Sequence, residues 1–298
     1  MSQSTKSFNR WNHILPHSWP YRVYKQYNEE VSEYLWTADS SYKYVNSQLT
    51  KNHVLDTDGV KNHFKLPTTV WNFVTVKDWR TAYDDMQNWI RLNCVMSVSA
   101  ALETYLASVF SLAIESNPGV LLGATKTIDG AKLLKHNQLQ PEVYKIQLKK
   151  CVEGKWSDRL SAIKKLFGPY PTILDTNKTE LDAMRLMRNK VGHAFGRDIE
   201  AARDFTKITK QTQERITVDR LKKWMKCAFD VAGEVDTFLL DNHIGEYQSI
   251  LAYHEHKMAW DALTSGEKAR AFKHMYGATD RQIGKRFCTE LIDYYNKL

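Results

Sequence analysis

Cysteine, proline and glycine are all scarce in this 298-residue chain, at 4, 7 and 13 residues. The four cysteines (Cys94, Cys151, Cys227 and Cys288) lie far apart and form no Cys-x-x-Cys pair. That spacing excludes a zinc ribbon and a disulfide-stapled scaffold, and it fits a reducing cytoplasm. So little glycine and proline leaves helices uninterrupted, and an all-α chain is expected. A Walker A loop, a Rossmann glycine pattern and a serine nucleophile elbow are all missing, which excludes the chemistries that need them. Met1–Arg10 is polar and lacks the apolar run of a signal peptide. The most apolar stretch, Val95–Ile114, carries Glu103. A charge at the centre of a spanning helix costs at least ~2.5 kcal/mol, so this stretch is expected to be a buried core helix and not a membrane span.

What is present in excess is positive charge. The net charge is +8, with 43% hydrophobic residues around it. A folded, basic protein of this kind attracts polyanions, with nucleic acid first among them.

Helical periodicity is clear at three places. Val95, Val98, Leu102, Leu106, Val109 and Ala113 recur at helical spacing over about 84–115, and Asn117-Pro118-Gly119 ends that run. A second helix follows Asn177, a candidate N-cap with Glu180 at N3. Its inward face is Leu181, Met184, Val191 and Phe195, with Arg188 projecting from the middle of the same face. The third runs from Val218 through Leu221, Met225, Ala228, Ala232 and Val235 to Leu239. Shorter elements are expected near Tyr21–Leu35, at Ser157–Phe167 with Ser157 as cap and Gly168 as stop, and as a strand over Thr68–Val76. The organisation expected is an N-terminal extension over 1–78, an antiparallel helical bundle over 79–245 and a helical C-terminal subdomain over 246–298. In that tail Thr264-x-x-Glu267 and Thr279-x-x-Gln282 match capping boxes, with a turn at Tyr276-Gly277 between them.

The segment Arg188-Asn189-Lys190-Val191-Gly192-His193-Ala194-Phe195-Gly196-Arg197-Asp198 concentrates the chemistry. An Arg and a His at one fixed spacing arise by chance about 0.5 times in a chain of this composition, so that pair alone is uninformative. Requiring Asn directly after the Arg lowers the figure to about 0.02. Arg10 and His17 form a competing pair, but they lie among Pro16, Trp19 and Pro20 and lack the Asn.

The Arg-Asn-x3-His string resembles the signature of the HEPN superfamily, and its wider context resembles the ribonuclease-type HEPN domains of bacterial conflict systems. Ser99-Ala100-Ala101-Leu102-Glu103-Thr104-Tyr105-Leu106 is similar to the early helix of those domains, and the resemblance spans about 85–242. It implies a HEPN-like α bundle, Arg188, Asn189 and His193 as catalytic residues, and a homodimer whose two motifs line one cleft. A toxin or anti-phage effector, with an antitoxin or defence-system partner, is the role it implies. Where related toxins carry a tyrosine two residues after the His, this chain has Phe195, so control by tyrosine nucleotidylation is not expected.

The residue types suit RNA cleavage in their own right. Histidine can take a proton from the 2′-hydroxyl and give one to the leaving 5′-oxygen near neutral pH. Arginine matches a phosphate with a fixed fork of donors, and positive charge placed where negative charge develops is usually the largest catalytic contribution. Asn189 can bind a phosphate or ribose oxygen or orient His193. Gly192 leaves room for a backbone to approach. Glu103 is expected to hold Arg188, and Arg185, Lys190 and Arg197 to contact RNA. On an ideal helix Arg188 and His193 point about 140° apart, which favours two protomers sharing one site.

The products expected are a 2′,3′-cyclic phosphate and a 5′-hydroxyl, from single-stranded RNA such as tRNA loops or mRNA. Neither a metal nor another cofactor is expected, and His254-x-His256 reads as a solvated helix face. Two other readings remain open: a non-catalytic HEPN module that binds RNA or a nucleotide, and a DNA-binding regulator using Arg281, Lys285 and Arg286 of the tail.

Overall fold

The computed structural model describes residues 8–65, 73–206, 208–279 and 283–298. The fold is all-α. Among the described residues the α-helices are α1 (Trp19–Lys51), α2 (Val76–Ser116), α3 (Gly130–Lys135), α4 (Lys145–Val152), α5 (Trp156–Phe167) and α6 (Ile173–Thr176). They continue with α7 (Lys178–Ala194), α8 (Ile199–Arg203), α9 (Val218–Leu239), α10 (Tyr247–His256), α11 (Ser265–Thr279) and α12 (Lys285–Lys297). The chain folds into two compact units whose boundaries fall inside α1, α2 and α9 and after the first residue of α7.

The first unit joins the chain up to Tyr24 with Glu103–Lys178 and Asp230–Leu298. Its core takes Leu106, Val109, Phe110, Ala113 and Ile114 of α2 with Val231, Ala232, Val235 and Leu239 of α9, all essentially inaccessible. Burying a Val, Leu, Ile or Phe side chain contributes about 1.5–3 kcal/mol, so these facing stripes dominate the unit's stability. α10 packs on α3, and α11 packs on α12. Polar groups are buried here too. Arg10, 4% exposed, donates to Asp129 (3.1 Å), the Ile244 carbonyl (2.8 Å), and the Ser116 carbonyl and Oγ (2.9 and 2.8 Å). The backbone N–H of Ser18 donates to the buried Asp236 at 3.0 Å, and its hydroxyl binds the same carboxylate.

The second unit consists of Lys25–Leu102 and Thr179–Phe229. Leu92, Val95, Val98 and Leu102 of α2 share its core with Leu181 and Met184 of α7 and Leu221 and Trp224 of α9. Tyr42, Tyr83, Trp79 and Phe64 form a continuous ring stack, with successive centroids 5.1, 4.8 and 4.4 Å apart.

Several boundaries differ from those expected. The Arg10 network makes the N-terminal stretch part of the first unit's core, and the tail shares that unit with α3, so the units do not follow the expected cuts after residues 78 and 245. α2 starts at Val76, earlier than its apolar repeat. The expected strand is partly outside the described residues; what is described of it is one isolated antiparallel bridge, Gly59–Thr75, before α2 begins. α5 begins at Trp156 because that indole is buried, which leaves Lys155 and not Ser157 as its N-cap. α11 continues through Tyr276 and Gly277, since Tyr276 is a buried core residue there. The Thr264–Glu267 capping box forms, with the Glu267 carboxylate accepting from the Thr264 N–H (2.9 Å) and hydroxyl (2.6 Å). Of its Thr279–Gln282 counterpart, Thr279 ends α11 and Gln282 lies outside the described residues.

α2 is the one helix among the described residues long and apolar enough to cross a membrane, and half of its most apolar window is buried inside the protein.

Candidate active site

α7 owes its register to Leu181, Met184, Val191 and Ala194, which fall on one side and are buried. The expected Asn177 cap does not form. Asn177 turns its amide back to the Ile173 carbonyl of α6 (3.0 Å). Glu180 is drawn instead to α9, where Lys223 (2.6 Å) and the Trp224 indole (2.9 Å) donate to it and Arg220 lies 3.2 Å away. Those donors, Lys223 first, hold the Glu180 carboxyl below its usual range.

The motif starts on that apolar side, where Arg188 falls between the directions of Leu181 and Met184, and turns from it to the exposed His193. Arg188 and Asn189 are half-buried, and the Arg188 Nη1 donates to the Asn189 Oδ1 at 3.2 Å. Gly192 and His193 are exposed. At 100° per residue Gly192 lies 40° from Arg188 and His193 140° from it, so the exposed Gly192 stands between the half-buried guanidinium and the exposed imidazole. A Cβ built on Gly192 would meet nothing within 4 Å, so no neighbour in this chain requires a glycine there. Glycine inside a helix costs about 0.5–1 kcal/mol relative to alanine.

α7 ends in an unusual way. Phe195, expected to point inward, is 72% exposed, because the helix stops at Ala194 and Phe195 turns left-handed (φ +52°). A bulky residue rarely takes that conformation, and here the surroundings impose it. The Phe195 carbonyl accepts from Gln213 (2.8 Å) and Arg197 (3.3 Å), and the Gly196 N–H closes on the Lys190 carbonyl (2.9 Å). The returning loop is fastened by the Glu214 N–H to the Gly196 carbonyl (2.8 Å). Asn88, fully buried, donates to the Glu214 carbonyl (2.9 Å) and accepts from the Ile216 N–H (3.0 Å). Asn88, Gln213 and Glu214 were not among the expected site residues. The signal for them was faint: one Asn in a helix that turns apolar, and a polar loop with no pattern.

The expected RNA-contacting cations all have partners within the second unit. Arg185 pairs with Asp182 (2.9 Å), Lys190 with Glu214 (2.5 Å), and Arg197 donates to the Gln211 carbonyl (2.9 Å). Glu103 belongs to the first unit, where it accepts from Arg159 at 2.9 Å, a guanidinium whose side chain is 3% exposed and which also bonds the Gly154 carbonyl. Arg159 is thus one partner for a carboxylate in this apolar helix, and the sequence did not single it out.

Compared with known proteins, the chain matches no family model, no curated protein and no solved structure. Any chemistry must therefore be argued from the residues themselves.

Elsewhere, no group of three or more His, Cys, Asp or Glu side chains suited to a metal occurs among the described residues. His254 is not on a fully solvated face: its Nδ1 meets the Tyr295 hydroxyl at 2.7 Å, and burial lowers its pKa. All four cysteines are free and buried, and burial raises the Cys94 thiol to about 11 and that of Cys151 to about 12. Raised and buried, Cys94 and Cys151 are not poised as nucleophiles.

Proposed function

We propose that the protein is an endoribonuclease of the HEPN type, with His193 as the proton-transfer residue and Arg188 as the phosphate-binding one. The carrying observation is the exposed, unobstructed Gly192 of α7, which stands between the half-buried Arg188, bonded to Asn189, and the exposed His193. In a two-fold pair of protomers, a phosphate seated over Gly192 would meet the guanidinium of one protomer and the imidazole of the other. His193 would accept the 2′-hydroxyl proton as that oxygen attacks phosphorus. The bond to the 5′-oxygen breaks, and a protonated imidazole returns a proton to the leaving oxygen, giving a 2′,3′-cyclic phosphate and a 5′-hydroxyl.

The wide angle between the two side chains supports a homodimer in which one protomer's Arg188 and the other's His193 serve the same phosphate. Arg185, Lys190 and Arg197 would exchange their half-buried acceptors for RNA phosphates. A role as a toxin or anti-phage effector in the cytoplasm follows from the motif's resemblance to conflict-system domains.

The test is incubation of the purified protein with single-stranded RNA in EDTA, followed by end mapping. Cyclic phosphate ends that vanish with His193→Ala and with Arg188→Ala are expected. Undiminished cutting by His193→Ala, or cutting of an all-deoxy strand, would overturn the reading.

A further inference from the structure

Apart from α7, the first unit holds a cleft of about 650 Å³ between α11 and the start of α12. Its lining is Arg270, Lys273, His274, Gly277, Ala278 and Lys285. On α11 these residues recur at i, i+3, i+4, i+7 and i+8, one face of a helix. That face runs about 12 Å along the axis at 1.5 Å per residue. The opposite face, Ala269, Phe272 and Tyr276, is buried in the core, so the cationic face is held outward.

Three features make this more than a solvated charge run. Among the described residues no carboxylate lies within ion-pair distance of Arg270, Lys273, His274 or Lys285, whereas the neighbouring Arg286 is taken by Glu290 at 2.7 Å. Like charges one turn apart on a helix repel by a few tenths of a kcal/mol each, and Glu267, one turn before Arg270, offsets this at one end of the row without an ion pair. Gly277 and Ala278 line the cleft with small residues, and a Cβ on Gly277 would meet nothing within 4 Å, so the fold does not require glycine there.

We propose that this cleft binds the phosphodiester backbone of single-stranded nucleic acid, with Arg270, Lys273 and Lys285 as phosphate contacts and His274 as a further donor. The linear spread of the cations favours successive phosphates over a single one, whose recognition needs donors converging on a point. Backbone neutralisation by such a row is independent of base sequence. Of the tail cations first considered for DNA reading, Lys285 belongs to the cleft, Arg286 is paired, and Arg281 lies outside the described residues.

The inference goes beyond the ribonuclease reading and does not depend on it, because it is tested by binding and not by cleavage. The experiment uses the full chain carrying His193→Ala, so that RNA stays intact, and measures the anisotropy of a labelled single-stranded RNA across a salt series. Adding Lys273→Glu with Lys285→Glu should weaken binding about tenfold or more near 0.1 M salt. The slope of log affinity against log salt should fall by roughly 1.4, about 0.7 for each lost contact on a single strand. Both lysines are exposed, and an unchanged thermal melt would verify folding; should the melt change, the milder Lys→Gln pair must shift affinity in the same direction. Equal affinity and slope in parent and variant would overturn the proposal. So would a parent that binds pyrophosphate or ATP at this cleft but no RNA.

Discussion

The two arginine–histidine pairs of this chain lie in different units and are held in opposite ways. Arg10, in the first unit, is sealed from water and satisfied by Asp129, Ser116 and Ile244, while His17 lies 3.5 Å from the buried carboxylate of Asp236. Burial lowers the pKa of Arg10 and raises that of Asp236, so each depends on its partners to stay charged. In the second unit Arg188 is half-buried and His193 faces solvent. The same two residue types can therefore serve architecture or chemistry. Access decides which, since a reacting group must be reached by substrate and a structural charge must be shielded from it.

Glycines sharpen the contrast. A Cβ on Gly130 would fall 1.7 Å from the Glu115 carbonyl oxygen, so the first unit requires glycine there for close backbone approach. Gly192 has open space instead.

The largest effect should come from the pair on α7. His193→Ala is expected to slow RNA cleavage about 10²–10⁴-fold. Its melting temperature should barely move, since a surface substitution stays within about 0.5 kcal/mol; a large loss of stability would make His193 structural and erase the contrast. Arg10→Ala should do the reverse. Leaving Asp129 and two buried carbonyls without their partner costs about 3–5 kcal/mol, read as a fall in the urea midpoint.

A pH series breaks the comparison differently. Burial first, and then the charge of Lys126, depresses the buried His243 to about 4. The unfolded histidine binds a proton near 6.5 and the folded one does not, so the folded state is favoured above 6.5. That advantage drains away as pH falls from 6.5 towards 4, and it amounts to about 3 kcal/mol. His243→Gln should flatten the urea midpoint across this range, and an unchanged slope would mean another group is responsible. The smallest effect is expected at Gly192→Ala. It should stabilise the fold by up to about 1 kcal/mol while reducing cleavage, and unchanged cleavage would show that nothing approaches that face.

Much of the helical framework was legible. The apolar repeats of α2 and α9 marked core residues, because periodicity reports directly which side of a helix is buried. α9 runs from Val218 to Leu239, the span its repeat outlined. Within α7 the buried Leu181, Met184 and Val191 were legible for the same reason, while Phe195 and Asn177 were not. Phe195 leaves the helix at its last turn, and the donors that hold its carbonyl, Gln213 and Arg197, come from the loop beyond. Asn177 as a cap lost to a carbonyl of α6, and Glu180 to three donors on α9. Local rules rank such alternatives, but the energies differ by about 1 kcal/mol, and a tertiary partner outweighs that.

The sequence by itself determined the helical class, the apolar faces of the long helices and the Arg188-Asn189-x3-His193 string, all of which are local in the chain. Only the tertiary structure decided that Arg10 is architectural and His193 accessible, that Glu103 takes Arg159, and that Lys285 joins the cations of α11. Each of these depends on which residues, distant in sequence, exclude water from a side chain, and solvent access is a property of the folded surface that no local pattern encodes.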